Sequence, residues 1–243
     1  MDDSSSERLK LPAETAHTSA FNAHDIFAHA SNSVVEVNSH PPAGQEVGTG
    51  FFVSSGLPNS CEVATAAHVG HDYQVPITTV DGHSHYVHLE LLDKRHEIAI
   101  YGAQVPNSEA VCKPLTIDSS GEAKGEPIVV VGANSADGDA TATDHNYRTG
   151  TIEGLHKRTE YPARQLPGED LTRPMMQANG NLKAPGYSGG PWLDGKGEVV
   201  GVHAVGANGF GVAELPQFLQ EDLDIIKAER TKNGGKVKPI VIE

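Results

Sequence analysis

Pro185-Gly186-Tyr187-Ser188-Gly189-Gly190-Pro191 places a single serine among glycines. Glycine before and after the serine lets the main chain turn sharply and approach another group closely. The backbone N–H groups of Gly186 and Ser188 can then point into one small space and hold a developing oxyanion. Ser188 is therefore a candidate nucleophile, and a nucleophilic serine needs a base.

The composition favours short strands over helices. The chain has 243 residues, of which 37% are hydrophobic and 5% aromatic, and it contains 26 glycines and 15 prolines. Such a mixture is typical of strands joined by many turns. We therefore predict an all-β protein that is long enough to bury a sizeable core.

The strand candidates fall into two groups, one between residues 33 and 101 and the other between 127 and 213. Two successive groups of short strands predict two small barrels side by side. Apolar residues at helical spacing predict a short helix within 21–30 and a longer one at 215–230. The predicted organisation has four parts: a disordered segment at 1–20, a first lobe at 21–112, a second lobe with a closing helix at 113–230, and a tail at 231–243.

The formal net charge is −14, from 18 Lys and Arg against 32 Asp and Glu. The basic residues form no cluster larger than a pair such as Lys157-Arg158, so neither nucleic acid nor an acidic membrane surface is expected as a partner. No apolar run approaches the roughly 18 residues that span a bilayer. Residues 1–8 lack the apolar core of a secretory signal, so the compartment stays open: either the protein is intracellular or a leader is missing from this sequence.

His68 is the candidate base among 13 histidines. It follows Ala64-Thr65-Ala66-Ala67, a run of small and β-branched residues that leads out of a predicted strand. A ring at the end of a strand lies on the rim of a barrel, where it can face a second lobe. In that position His68 can accept the hydroxyl proton of Ser188 as a general base.

Thr65-Ala66-Ala67-His68 and the serine segment resemble, in the same order, the two signature segments of the trypsin-like serine peptidases. The chain is most similar to the protease domain of the high-temperature-requirement family, through residues 27–37, 48–51 and 118–126. The resemblance implies a chymotrypsin-like fold of two six-stranded antiparallel β-barrels with short N-terminal and C-terminal helices. It also implies a serine endopeptidase that acts on polypeptides without a cofactor, and it leaves a homo-oligomer open.

The third catalytic group departs from the family pattern. The family has Asp before an apolar residue and Ala, whereas this sequence has Glu97-Ile98-Ala99. A carboxylate one methylene longer can orient the imidazole and stabilise the imidazolium if the backbone sits slightly further back. We expect Glu97 to be this acid. Asp93 and Asp72 are the substitutes, and a surface glutamate on a strand edge is the structural alternative.

Tyr187 is a second departure, because relatives carry Asn or Asp immediately before the serine. Tyrosine is unable to make the same compact hydrogen bonds, so we expect the loop either to be held by packing or to form when substrate binds. The rival hypothesis is a catalytically inactive or switchable homologue that serves as a protein-binding, chaperone-like module.

In the trypsin-like fold, the strand after the serine forms a wall of the specificity pocket. Here that strand carries His203-Ala204-Val205-Gly206, which resembles the glutamate-specific bacterial peptidases, whose histidine faces the substrate carboxylate. Lys183, shortly before the serine, is a second candidate cation. Charge-assisted bonds from His203 and Lys183 predict a preference for Glu or Asp before the scissile bond. The alternative is a small apolar pocket, with His203 packed in the barrel and Lys183 in solvent.

Two further groups of residues receive structural interpretations. The histidines at 83, 85, 88 and 96 lack the Cys or carboxylate partners of a structural zinc site, so no metal is expected. Cys61 and Cys112 are able to pair, but two cysteines say little about compartment. Two buried thiols are the favoured interpretation.

Overall fold

The computed structural model describes residues 21–39, 46–58, 61–103, 112–120, 124–133, 146–160, 167–207 and 209–243. The segment at 1–20, predicted to be disordered, lies outside the described residues. The described residues are mostly strands, and they form two closed six-stranded barrels. This confirms the predicted all-β, chymotrypsin-like architecture.

Six strands form the first barrel: β1 (Val34–Ser39), β2 (Glu46–Val53), β3 (Glu62–Ala66), β4 (Gln74–Thr78), β5 (Ser84–Asp93) and β6 (Ile98–Gly102). They run in the order β5-β4-β1-β2-β3-β6, and every pairing in this ring is antiparallel. The ring closes because β5 is long enough to pair with β4 along its first half and with β6 along its second half.

Six more strands form the second barrel: β7 (Pro127–Gly132), β8 (Asn146–Lys157), β9 (Pro174–Asn179), β10 (Pro191–Leu193), β11 (Val199–Ala207) and β12 (Phe210–Glu214). Their order is β10-β11-β12-β9-β8-β7, and the pairing of β10 with β7 closes the ring. The serine segment therefore leads directly into a barrel strand, and β11 lies beside it.

The short strand β10 is absent from the sequence-based prediction. A run of three residues carries too little alternation for its conformation to be read from the pattern. Its tertiary pairing defines it, since Trp192 lies opposite Val130 of β7 and Gly201 of β11. The backbone immediately after the serine loop is thus fixed from both sides.

The helix α1 (Ala23–Ala30) precedes the first barrel in the chain but packs on the second. It begins at Asn22, whose side chain accepts a hydrogen bond from the Asp25 N–H and so caps the helix. The ring of Phe27 lies 4.9 Å from the ring of Tyr147 on β8. This contact joins the start of the first lobe to the wall of the second.

The helix α2 (Pro216–Lys232) follows the second barrel, as predicted. Its residues Leu219, Leu223 and Ile226 recur at helical spacing and are fully buried. They belong to an apolar cluster that includes residues of both barrels. Within the described residues, no helix combines the length and the apolar character needed to cross a membrane.

The chain after α2 returns to the first barrel. The strand β13 (Ile240–Ile242) pairs in parallel with β5, and Ile240 lies opposite Leu91. The Lys94 amine donates to the Glu243 carboxylate over 2.6 Å. The helix α1, which precedes the first barrel, thus packs on the second, and β13, which follows the second barrel, pairs with the first. These two segments tie the barrels together.

Cys61 and Cys112 form a disulfide, so the expectation of two buried thiols is wrong. The bond joins the residue before β3 to the connection between the barrels, across a sequence separation of 51. Their Cα atoms lie 6.1 Å apart, within the range that a disulfide spans. Sequence spacing alone gave no means of judging that distance.

Candidate active site

His68 lies in a tight turn at the end of β3, on the rim of the first barrel. The N–H groups of Val69 and Gly70 both donate to the carbonyl of Ala66, over 3.0 Å each. This turn lifts the imidazole away from the strand and leaves a quarter of its side chain exposed. The position agrees with the rim location expected from the small residues that precede it.

The Nδ1 atom of His68 forms a hydrogen bond with the carboxylate of Glu97. Glu97 occupies the turn between β5 and β6 and has a φ of 57°, the only positive φ of a non-glycine residue among those described. Its carbonyl accepts from the Ala67 N–H over 2.8 Å, so the two turns are joined through their backbones as well. The left-handed backbone places Glu97 just outside the strand, where its longer side chain reaches the ring.

The carboxylate of Asp93, one of the two substitutes for Glu97, binds Arg95 and His96. It accepts from the Arg95 guanidinium over 2.8 and 3.1 Å and from the His96 ring over 2.9 Å. Burial alone would raise the pKa of Asp93, but the hydrogen bonds from His96 and Arg95 lower it well below its usual value. The carbonyl of the other substitute, Asp72, accepts from the Tyr101 hydroxyl over 3.0 Å.

The residues before Ser188 form a turn that requires glycine. The Tyr187 N–H donates to the Ala184 carbonyl over 3.3 Å, and Gly186 has a φ of 83°. With proline second and glycine third, this is the pattern of a type II turn. No described residue accepts a hydrogen bond from the N–H of Gly186 or Ser188. These two N–H groups are therefore the candidate donors to a ligand oxygen.

Thr49 of the first barrel holds this loop in place, a role that the sequence did not reveal. Its N–H donates to the Ser188 carbonyl over 2.8 Å, and its hydroxyl donates to the Gly186 carbonyl over 2.5 Å. The hydroxyl also accepts from the Ala133 N–H over 2.9 Å. A Cβ at Gly189 would lie 2.2 Å from the Thr49 carbonyl oxygen, which explains why glycine follows the serine.

Tyr187 points into the second barrel and is only 2% exposed. A Cβ at Gly132 would lie 2.6 Å from its ring, so β7 offers glycine where the ring packs. The Arg148 guanidinium carbon lies 5.7 Å from the ring centroid, in the position of a cation–π contact. Burial raises the pKa of the Tyr187 hydroxyl. Of the two expectations for this loop, packing is the one that the structure displays.

A small cavity of about 130 Å³ connects the candidate nucleophile with the candidate base. It is lined by His68, Glu97, Arg158, Met175, Ser188, Ala204 and Val205. Two residues of the predicted specificity strand, Ala204 and Val205, thus contribute to its wall. A Cβ at Gly206 would lie 2.5 Å from the Cα of Lys183, so the end of this wall packs directly on the chain before the serine loop.

His203 is buried, with 2% of its surface exposed, and does not line this cavity. Its Nδ1 accepts from the Trp192 indole N–H over 3.0 Å, which requires the ring proton to be on Nε2. Burial, with a smaller contribution from the charge of His68, lowers the pKa of His203 to about 3. Its backbone also binds the serine loop, donating to Gly190 and accepting from Gly189. The Lys183 side chain is exposed.

Behind Glu97 lies a cluster of buried ions that sequence reasoning missed. It is formed by Arg158, Glu169, Arg173 and Glu214 of the second lobe, all with side chains no more than 2% exposed. Burial raises the pKa of Glu214 to about 8, and the neighbouring carboxylates act in the same direction against Arg173. Glu169 and Arg173 are four residues apart, but Glu214 lies 41 residues after Arg173 and no motif surrounds the set, so no local signal could have identified the cluster.

Comparison with known proteins identifies a family and a fold. The model of the trypsin-like peptidase domain matches residues 48–202. The active form of the M. tuberculosis protease Rv3671c is 22% identical, with a TM-score of 0.66 over 88% of this chain and 86% of that one. The HtrA-type protease AlgW, solved with a tripeptide, is 17% identical, with a TM-score of 0.64 over 88% of this chain and 65% of that one.

The serine endoprotease from Yersinia pestis gives a similar result. It is 16% identical and has a TM-score of 0.64 over 86% of this chain and 67% of that one. No curated protein sequence matches the chain. At these identities, the solved structures establish the shared fold alone, and the family model carries the assignment.

Proposed function

The chain belongs to the trypsin-like peptidase family and is a serine protease, and on that premise we propose that Ser188, His68 and Glu97 form its catalytic triad. One observation carries the proposal. The Nδ1 of His68 is bonded to Glu97, and the same ring shares a small cavity with Ser188. Serine hydrolysis needs an acid, a base and a nucleophile close together, so this proximity supports the proposal.

The proposed reaction is acyl transfer to the serine. Its hydroxyl oxygen attacks the peptide carbonyl carbon while His68 takes the hydroxyl proton on Nε2. Glu97 keeps the other ring proton on Nδ1 and stabilises the imidazolium. The N–H groups of Gly186 and Ser188 hold the oxyanion. The carbon–nitrogen bond then breaks, the leaving amine takes the proton from His68, and water releases the acyl group by the same steps.

A fluorophosphonate probe tests the nucleophile directly. The probe should label the wild-type protein and leave Ser188→Ala unlabelled, and mass spectrometry should place the label on Ser188. Peptide hydrolysis should be lost in the same variant. Absence of labelling in folded wild-type protein, with and without a peptide substrate, would instead favour the chaperone-like homologue.

We further propose that the enzyme prefers an acidic residue before the scissile bond. Two residues beside the wall formed by Ala204 and Val205 support this preference, although neither lines the cavity as it stands. His203 is buried directly before Ala204 and retains an N–H donor on Nε2 because Trp192 occupies Nδ1. Lys183, whose Cα lies beside Gly206 and whose side chain is exposed, is the proposed cation, since His203 is neutral at pH 7. A neutral donor and a cation together suit a carboxylate.

Peptides that differ only in the residue before the scissile bond decide this preference. A peptide with Glu before the scissile bond should give a higher kcat/KM than one with Gln. The Lys183→Gln variant should show a smaller ratio between these two kcat/KM values. Equal or faster cleavage after Val or Ala would show a small apolar pocket instead.

A further inference from the structure

We infer that Arg173 is a positioning residue for the catalytic acid, holding the Glu97 carboxylate toward His68 from the opposite barrel. The inference rests on the proposed function of Glu97. It assigns a role to the buried ion cluster behind the site, which the triad chemistry does not itself use. Four observations carry it: the contact with Glu97, the anchoring of the guanidinium, the strain at Glu97, and the charge balance around it.

The contact lies on the side of Glu97 that faces away from the imidazole. While one carboxylate oxygen of Glu97 binds His68, the other, Oε2, lies 3.6 Å from the Nη2 of Arg173. The Arg173 side chain is 1% exposed and that of Glu97 is 5% exposed. An ion pair shielded from solvent acts with little screening, so the guanidinium has a strong influence on where this carboxylate rests.

The guanidinium is itself firmly anchored. Its Nε and Nη2 bind the two carboxylate oxygens of Glu214 over 2.8 and 2.5 Å, in a bidentate pair. Nη2 also donates to Glu169 over 2.8 Å, and Nη1 donates to the Asp170 carbonyl over 2.8 Å. A planar fork with this many partners has essentially one position available. Arg173 is therefore a fixed positive charge against which Glu97 is placed.

Glu97 needs such support because its backbone is strained. A left-handed conformation is unfavourable for a non-glycine residue and persists only where the surroundings enforce it. The side chain also has one more rotatable bond than aspartate. Backbone contact with Ala67 fixes one end of the residue, and Arg173 restrains the other.

The charges that face Glu97 come from several elements, and their balance makes the inference testable. The charged and titratable groups on its own turn and at the end of β5 are Asp93, Arg95 and His96. Those across the site are His68, Arg158, Glu169, Arg173 and Glu214. Removing the Arg173 charge should favour the imidazolium of His68 and raise its pKa. Removing a carboxylate that shares Arg173 should have the opposite effect.

The experiment therefore uses a pair of substitutions with opposite expected shifts. The pKa of His68 is measured by NMR titration of its ring and, independently, from the acid limb of kcat/KM. Arg173→Gln should raise this pKa, and Glu169→Gln, which keeps an oxygen acceptor, should lower it. Arg173→Gln should also reduce kcat by about 10–100-fold with KM within about twofold of wild type, because a carboxylate that is no longer held from behind orients the imidazole less well while its charge stays near the ring.

Arg230→Gln is the matched control. Arg230 lies on α2 and binds both oxygens of Glu90 over 2.7 Å, and it also binds Glu62. Its loss breaks a comparable ion cluster away from the site, so stability should fall while the His68 titration stays unchanged. Arg173→Lys keeps the positive charge but loses the planar guanidinium with its several donors. In this variant the pKa of His68 should lie closer to its wild-type value than kcat does.

Shifts of the same sign in Arg173→Gln and Glu169→Gln, or wild-type titrations in both, would overturn the inference. If Arg173→Gln does not fold, Arg173→Lys and Glu169→Gln decide the matter by the same titration. The NMR measurement does not require turnover, so it separates the two proposals. Failure of the probe to label Ser188 rejects the proposed function, whereas unshifted titrations in a labelled enzyme reject the role of Arg173 alone.

Discussion

At the scale of single residues, the site depends on a glutamate where the family has aspartate. The extra methylene is accommodated by the backbone, because a φ of 57° moves Glu97 into the turn before β6. The side chain then meets the Nδ1 of His68. The longer acid thus reaches the histidine at the end of β3.

Glu97→Gln should lower kcat by about 10³–10⁴-fold while the protein stays folded. The amide can present an N–H to the imidazole, which then holds its proton on the wrong nitrogen. Steady-state kinetics checks the loss, and circular dichroism checks the fold. Turnover equal to wild type would remove Glu97 from the triad.

Tyr187 anchors the serine loop through its ring. Tyr187→Ala should destabilise the protein by about 3–5 kcal/mol, as for other buried aromatic residues, and should lower kcat/KM on the order of 100-fold by loosening the oxyanion donors. Tyr187→Phe keeps the ring against Gly132 and serves as the control, with kcat/KM near wild type. Denaturant unfolding and kinetics measure the two effects. A folded Tyr187→Ala variant with full activity would contradict this role of the ring.

At the scale of elements, α2 clamps the turn that carries Glu97. The ring of Phe218 stacks on His96 with centroids 3.8 Å apart. One helical turn later, Asp222 is buried, and its Oδ2 has no hydrogen-bond partner among the described residues. Burial raises the pKa of Asp222 to about 8, and the nearby Asp93 adds to the effect. The helix therefore brings a protonated carboxyl group against an ionised one.

This contact predicts a pH dependence of stability. Between pH 4 and pH 8, the folded protein holds a proton on Asp222 that the unfolded chain has released, so stability falls as pH rises through this window. The slope from one such group is at most about 1.4 kcal/mol per pH unit. Asp222→Asn should flatten the curve and stabilise the protein at pH 8.

Denaturant unfolding at several pH values measures this slope, with the exposed Asp224→Asn as control. The difference in slope between the Asp222 variant and wild type is the relevant quantity, because it isolates the contribution of this one carboxyl group. Identical slopes in these two proteins would show that Asp222 is ionised in the folded state.

At the scale of the whole molecule, the two barrels are joined by more than their connection. The apolar cluster between them contains Phe51 and Ile98 of the first barrel, Val131 and Leu193 of the second, and Ile226 of α2. Thr49 and the ion cluster around Arg173 cross the same boundary at the active site. Docking of the barrels and assembly of the site are therefore a single event.

Removing the disulfide should weaken the first barrel. Closing a loop with the separation of 51 residues between Cys61 and Cys112 restricts the unfolded chain, and its loss should lower the free energy of unfolding by about 4 kcal/mol. Thermal unfolding of the Cys61→Ser, Cys112→Ser double variant checks this, with reduced wild-type protein as a second comparison. A melting temperature that is the same with and without the bond would show that the linkage contributes nothing to stability.

The sequence by itself determined the two-barrel fold and pointed to the proposed nucleophile and base. Short-range patterns carry that information, because alternation defines strands, and glycines around a serine or small residues before a histidine define local turns. The strand β10 was not predicted, because three residues are too few to show an alternating pattern. Its pairing with β7 and β11 is what defines it.

The tertiary structure decided how the site is held. Thr49 on Gly186, the disulfide, and Arg173 behind Glu97 are contacts between residues far apart in the chain, whereas the neutral His203 meets Trp192 across the pairing of β11 with β10. Such contacts depend on distances and burial that arise only when the strands pair and the barrels dock. Whether a glutamate can replace an aspartate was therefore a question about the geometry of a turn and its neighbours, which the folded protein alone could answer.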